Sequence, residues 1–328
     1  MDTLSKPGSC PSIDKHLAER ANSQLANAKA ENTRRAYRSD MRSFSDWCIR
    51  CKREALPAEP ETVRFYIVEL NESGIKPATI ARKLSSISQA HKLSSFPSPL
   101  DALVLEQFKA IRRERGTVQR KAKPLLAGEL KKICDSLRLD VLGKRDRALL
   151  LVGWAAALRR SEISNLKISD LEFTDEGLIV TLRRSKTDQL GEGQKVAIPR
   201  LPDEQREYCA VSALKRWLSI GKFDNDGPVF RAVGRRGNNV FFAKIGENKL
   251  DSKSISNIIK RRIRLIGMNP FLYSAHSLRS GWATEAARIG LGMPALMQHT
   301  RHKSERVAIG YIQESNLFRC NPLEMLLT

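Results

Sequence analysis

The stretch LEFTDEGLIVTLRRSKTDQLGEGQKVAIP, residues 171–199, decides the fold class of this chain. Apolar and polar residues alternate on both sides of a glycine-containing turn, which is typical of a β-hairpin. The sequence on either side of this stretch shows helical periodicity instead. The pattern therefore predicts a small β-hairpin or sheet inside an α+β region in which helices dominate.

Helices are predicted on both sides of the hairpin from apolar residues spaced three and four apart. Before it lie GELKKICDSL and KRDRALLLVGWAAAL, and after it lie residues 204–220, 252–266, 278–290 and 293–299. We expect these segments to form one C-terminal domain, residues 126–328.

Residues 1–111 are predicted to form a separate helical bundle. Four or five short amphipathic helices with basic outer faces run through this region. In KPATIARKLSSISQAHKL, residues 76–93, the pattern buries Ile80, Leu84 and Ile87 and turns another set outward, namely Arg82, Lys83, Ser85, Ser86 and Gln89.

The stretch RRERGTVQRKAKPL, residues 112–125, separates the two predicted domains. It carries six basic residues against Glu114 and contains Gly116 and Pro124. This composition favours a basic linker that lies along phosphates. A solvated helix end is the alternative interpretation.

The charge balance indicates a polyanionic partner. The chain has 328 residues with 57 Lys and Arg against 36 Asp and Glu, a formal net charge of +21. Nucleic acid is the first candidate, because each neutralised phosphate releases counterions, and an anionic membrane surface is the alternative. No run of 18 apolar residues, signal peptide or lipidation motif is present, so we expect a cytoplasmic protein that acts at the nucleoid.

The six cysteines predict neither disulfides nor a metal site. Cys48 and Cys51 form a CxxC, but they lie in a helical pattern without a second cysteine pair. His299 and His302 lack a third ligand at metal spacing, and the basic turn around them would repel a cation. We therefore expect thiols in a reducing compartment and no metal.

Four short patches could share one chemistry. Each has an ordinary structural alternative when taken alone: a surface pair, a solvated lysine or a core aromatic residue. Two of them place their residues three apart on one helical face. The patches are Arg159 with Glu162, Lys186 near the hairpin turn, His276 with Arg279, and His302 with Tyr311 in QHTRHKSERVAIGY.

Together, and in this order, the patches resemble the tyrosine recombinase (phage integrase) family, with Cre-type members especially similar. ENTRRAY, ATIARKLSSISQAH and PAEPETVRFYI resemble the core-binding domain of that family. The resemblance runs from about residue 25 to the end of the chain. It implies that residues 1–111 bind DNA and that residues 126–328 form the catalytic domain.

The resemblance also implies the role of each side chain. Tyr311 attacks the scissile phosphate, Arg159, Arg279 and His302 hold its non-bridging oxygens, Lys186 protonates the leaving oxygen, His276 takes the tyrosine proton, and Glu162 orients its neighbours. Guanidinium forks suit the phosphoryl oxygens. Arg160 competes with Arg159, but the spacing to Glu162 favours Arg159. Lys195 competes with Lys186, and Tyr273 and His299 are interpreted as structural.

Contacts with DNA are expected at basic residues outside the active site. The resemblance to Cre-type proteins implies that helix 252–266 enters a major groove, and contact with phosphates only is the alternative. The candidates are Arg34, Arg35, Arg82, Lys83, Arg120, Lys121, Lys123, Lys253 and Arg264. The resemblance also implies that the apolar C-terminal end, NPLEMLLT, docks on a neighbouring protomer, and packing on its own chain is the alternative.

The implied function is site-specific recombination on double-stranded DNA with paired half-sites, by a homo-tetramer that needs no cofactor or nucleotide and no membrane. A type IB topoisomerase uses the same chemistry and is the first alternative. A non-catalytic DNA-binding protein of the same fold is the second. An RNA-binding protein is disfavoured because no RRM or KH signature is present.

Overall fold

The computed structural model describes residues 16, 17, 20, 31–116, 121–183, 193–221, 223, 224, 226–236 and 239–315. For residues 32, 235, 236, 239–243, 314 and 315 it describes the backbone alone. The chain divides into two compact units, Met1–Arg120 and Lys121–Thr328.

Residues 31–115 of the first unit form four helices joined by loops. These are α1 (Glu31–Arg50), α2 (Pro60–Glu72), α3 (Pro77–Leu93) and α4 (Ala102–Arg115). Proline opens α2 and α3, where its missing N–H costs no hydrogen bond. Since α4 continues to Arg115, the first four residues of the predicted linker are helical.

The core of this unit is an aromatic cluster surrounded by aliphatic side chains. The rings of Phe44, Trp47 and Tyr66 lie 5.0 to 6.3 Å apart. The prediction that Ser86 and Lys83 face outward is wrong. Ser86 is buried and donates to Asp40 Oδ2, while the Lys83 ammonium lies 3.0 Å from the Tyr66 hydroxyl oxygen. A buried carboxylate draws the polar groups of α3 inward because an unpaired charge is costly to bury.

The second unit combines helices with two small antiparallel sheets. Its helices are α5 (Ala127–Asp135), α6 (Val141–Ala155), α7 (Arg160–Asn165), α8 (Ala210–Leu218), α9 (Ser252–Leu265), α10 (His276–Arg288), α11 (Met293–Thr300) and α12 (Glu305–Ser315). Single 3₁₀ turns cover Ile168–Asp170 and Pro270–Leu272, and Asp203–Tyr208 forms a longer 3₁₀ segment. This architecture confirms the predicted fold class.

The predicted hairpin is confirmed and carries one additional short strand. The order is β1 (Leu171–Phe173), β2 (Gly177–Leu182) and β3 (Gln194–Pro199), all antiparallel. Val180 pairs with Val196 and is buried, as the alternation predicts. Lys186, between β2 and β3, lies outside the described residues.

A second sheet was not predicted. It pairs β4 (Arg231–Arg236) with β5 (Asn239–Lys249), with two register shifts between the strands. The helix predicted over residues 204–220 is also divided, because the extended backbone of Cys209 ends the 3₁₀ segment and caps α8.

Close packing fixes α10, the helix that carries two candidate site residues. The backbone N–H of Leu125 donates to Ser277 O, and a Cβ added at Gly281 would lie 1.8 Å from Leu125 O. Glycine thus lets the segment before α5 lie directly against α10.

No helix among the described residues is long and apolar enough to cross a bilayer.

Candidate active site

Arg159 and Glu162 meet at the start of α7. Arg159 caps the helix with extended backbone, so its side chain and that of Glu162 lie on one face. Glu162 Oε1 accepts a hydrogen bond from Arg159 Nη1 at 2.6 Å, and Glu162 Oε2 accepts one from the backbone N–H of Arg159 at 2.8 Å. Arg160 points into solvent, which supports the choice of Arg159 over its neighbour.

Arg279 is a buried guanidinium with one unused nitrogen. Its side chain is 1% exposed; Nη1 donates to Ala157 O at 2.8 Å, and Nε faces His302 Nε2 at 3.4 Å. Nη2 is buried and has no hydrogen-bond partner among the described residues. Burial, followed by the positive charges of Arg159 and Arg301, lowers the pKa of Arg279 to about 9. A buried cation with an unused donor is suited to an anionic ligand.

His302 follows α11 and is held in one tautomer. Thr300 Oγ1 donates its single proton to Leu296 O at 2.6 Å. Since no proton is left for His302 Nδ1, which lies 2.8 Å from the same hydroxyl oxygen, that oxygen accepts a hydrogen bond from Nδ1. The neutral ring therefore carries its proton on Nδ1 and turns the Nε2 lone pair toward Arg279. Burial, then Arg279 and Arg159, lower the pKa of His302 to about 3.

Tyr311 lies on α12, beside both histidines. Its hydroxyl oxygen is 3.5 Å from His276 Nε2, and its ring centre is 5.9 Å from that of His302. Desolvation by the surrounding protein lowers the pKa of His276 below its ordinary value, and the positive charges of Arg279 and Arg159 lower it further. A neutral imidazole at this position can accept the phenol proton. The structure thus brings Arg159, Glu162, His276, Arg279, His302 and Tyr311 into one cluster.

Lys195 lies on β3 and is exposed. It lines a cavity of about 380 Å³ together with His302 and Lys303. Because Lys186 lies outside the described residues, the choice between the two lysines stays open.

Arg301 was missed by the sequence analysis, although it is buried in the middle of this cluster. In HTRHKS it resembles one more basic residue of a solvated turn. The usable signal was its position directly before His302, a candidate site residue. His299 packs against its own chain: Nε2 lies 2.8 Å from Ala155 O, and the centre of its ring lies 3.7 Å from that of Trp282.

The candidate DNA contacts differ in how free they are. Arg82 pairs with Asp40 at 2.8 Å, and Arg34 with Glu31. Contact of Lys83 with DNA would require its bonds to Tyr66 and Ser43 to break. The exposed candidates are Arg35, Arg82, Lys121, Lys123, Lys253 and Arg264, whereas Arg120 lies outside the described residues.

Metal ligation finds no support among the described residues, where no group of three His, Cys, Asp or Glu side chains could hold an ion. Cys48 and Cys51 are both free thiols. Burial raises the pKa of Cys48 to about 11, so this thiol is poorly reactive.

Comparison with known proteins gives two family matches. Residues 123–316 match the phage integrase family, and residues 22–93 match its N-terminal SAM-like domain. An integrase/recombinase xerD homolog from Selenomonas ruminantium is 38% identical over 318 residues, which cover 95% of this chain and 90% of that protein. The Cre recombinase of Escherichia phage P1 is 27% identical over 302 residues, covering 87% and 85%.

Solved structures share the fold at low sequence identity. The Tn1549 transposon integrase in complex with transposon right end DNA has a TM-score of 0.62 and 14% identity, with coverage of 95% of this chain and 98% of that one. A lambda integrase dimer bound to a core site has a TM-score of 0.56 and 17% identity, with coverage of 90% and 93%.

Proposed function

Because this chain belongs to the phage integrase family, a family of enzymes that cleave and rejoin DNA, we propose that it is a site-specific recombinase acting through a 3′-phosphotyrosine link. One observation carries the proposal. Arg279, buried beside Tyr311 and His302, keeps Nη2 unpartnered among the described residues. This charged nitrogen can donate a strong hydrogen bond to a phosphate oxygen.

The first step is attack of the Tyr311 oxygen on phosphorus. The phenol, ordinarily un-ionised at neutral pH, gives its proton to His276 Nε2 as the new bond forms. The bond from phosphorus to the 5′ oxygen breaks, and that oxygen takes a proton from Lys186 or Lys195. The products are a 3′-phosphotyrosyl strand and a free 5′ hydroxyl.

The charge on the non-bridging oxygens is met by the guanidinium groups of Arg159 and Arg279. Their positions are fixed in advance by Glu162 and by Ala157 O, so little reorganisation accompanies the reaction. His302 turns a lone pair toward the site at rest. It becomes a donor only on gaining a proton, which the negative phosphate favours by raising its pKa.

Rejoining reverses these steps with a different 5′ hydroxyl. The covalent link conserves the energy of the phosphodiester, so a 5′ hydroxyl from a second duplex can displace Tyr311 without a nucleotide cofactor. We propose that two duplexes with paired inverted half-sites are held by a homo-tetramer. The net charge of +21 supports binding to both.

The test begins by selecting a duplex from a random-sequence library with the Tyr311→Phe variant, which keeps the fold but lacks the nucleophile. A duplex with a nick close to the cleavage site then traps the intermediate. The short fragment that carries the free 5′ hydroxyl diffuses away, so the strand cannot be rejoined. The wild-type protein is expected to give a covalent adduct on a denaturing gel, and Tyr311→Phe none. Tyr208→Phe is the matched control and should form the adduct.

Three results would reject the proposal. If the wild-type protein forms no adduct, the covalent mechanism fails. An adduct with Tyr311→Phe would move the nucleophile elsewhere. If supercoiled plasmids with and without the selected sequence are relaxed at the same rate, the protein is a topoisomerase instead.

A further inference from the structure

Arg301 has a backbone conformation that an arginine rarely adopts. At φ 58° and ψ 44° it lies in the left-handed region at the end of α11, where glycine is the usual residue. A non-glycine residue persists there only when its surroundings compensate for the steric cost.

The compensation comes from four hydrogen bonds made by a side chain that is 2% exposed. Nη1 donates to Ala156 O at 3.0 Å and to His299 O at 2.7 Å. Nη2 donates to Ala157 O at 2.8 Å and to Glu162 Oε2 at 3.0 Å. The guanidinium therefore joins the turn after α6, the end of α11 and the first turn of α7.

Both candidate catalytic arginines connect to Arg301 through a shared group. Glu162 binds Arg301 with one oxygen and Arg159 with the other, and Arg159 Nη2 also donates to Arg301 O at 3.2 Å. Ala157 O accepts from Arg301 and from Arg279, each at 2.8 Å. A displacement of Arg301 would thus be felt by both guanidinium groups.

We propose that Arg301 is a positioning residue that sets the spacing of the Arg159 and Arg279 guanidinium groups before the phosphate arrives. Its terminal nitrogens cannot serve the phosphate, because Nη1 and Nη2 each donate to two protein acceptors. Nε is the one nitrogen of this guanidinium that is buried without a partner among the described residues. A lysine could not replace it, since one ammonium cannot span acceptors on three segments.

This inference rests on the proposed strand transfer by Tyr311, and the Arg301→Gly variant tests it. Glycine tolerates the local backbone, so the substitution removes the side chain without adding strain. We expect the single-turnover rate of adduct formation on the nicked selected duplex to fall about 100-fold, the effect of a small misplacement of catalytic groups. The Kd for the intact duplex should stay within about threefold, because other phosphate contacts supply most of the affinity.

Chemical rescue separates positioning from general damage to the fold. Guanidinium chloride, well below denaturing concentrations, should raise the rate of Arg301→Gly by filling the vacated space. Urea has the same shape without the charge and should not. Arg288→Gly, which removes an exposed arginine at the end of α10, is the matched control and should be unaffected by guanidinium.

The outcomes distinguish this inference from the proposed function. If wild type forms no adduct, the proposed function fails. If wild type forms it and Arg301→Gly does so equally fast, or urea rescues as well as guanidinium, only the positioning role is overturned. Should Arg301→Gly fail to fold, Arg301→Lys decides: a slow rate that guanidinium leaves unchanged supports the role, and a wild-type rate overturns it.

Discussion

Replacing Arg279 by lysine should slow strand cleavage far more than it weakens DNA binding. In the structure the guanidinium reaches Ala157 O with Nη1 and faces His302 with Nε, which leaves Nη2 for the phosphate. A lysine ammonium can occupy one of these places only. Losing one preorganised donor to a developing oxyanion costs about 10²–10³ in rate, or about 2.7–4 kcal/mol of barrier.

The assay is single-turnover adduct formation on the nicked selected duplex, with protein in excess over DNA. Anisotropy with the intact duplex gives Kd in parallel, and thermal melting checks that the variant folds. Arg288→Lys, at the exposed end of the same helix, is the control and should react at the wild-type rate. If Arg279→Lys reacts as fast as wild type, the unpartnered nitrogen does not serve the phosphate and the reasoning is wrong.

Three further predictions concern the leaving group, the packing of α10 and acid stability. With sulfur in place of the leaving 5′ oxygen, Lys186→Ala should recover a near wild-type cleavage rate; recovery with Lys195→Ala alone would assign the acid to Lys195. Gly281→Ala should lower the free energy of unfolding by about 1–3 kcal/mol, because its Cβ would lie 1.8 Å from Leu125 O, and an unchanged melting temperature would contradict this. The folded state holds the pKa of His302 near 3 against an ordinary 6.5, so between these values only the unfolded chain gains a proton there and stability falls as the pH is lowered. Urea denaturation from pH 7 to 4 should show a shallower decline for His302→Asn, and an identical slope would count against the shift.

The sequence was informative about the fold wherever one periodicity dominates. The alternation in β2 and β3 predicted their buried faces, and helix 252–266 differs from α9 by one residue. The β4–β5 sheet was missed because its two register shifts disturb the alternation. Ser86 was misplaced because the pattern registers apolar residues only, whereas here a buried carboxylate draws polar groups inward.

The candidate site was predictable where spacing carries geometry. The three-residue interval between Arg159 and Glu162 predicted a shared face, and the two side chains are in contact. The burial of Arg301 was not predicted, because two of its acceptors are the backbone carbonyls of Ala156 and Ala157, whose proximity no spacing in the sequence indicates. The tautomer of His302 could not be predicted either, because it depends on the direction in which the Thr300 hydroxyl donates, and the structure shows that it donates to Leu296 O.

The short path from His302 to Tyr311 has a consequence for assemblies of unequal subunits. The imidazole, the phenol and the guanidinium of Arg279 all come from one polypeptide. In the proposed tetramer, a copy without the phenol and a copy without that guanidinium would therefore not complement each other. In the proposed tetramer, each copy that lacks its phenol would instead leave one DNA strand uncut.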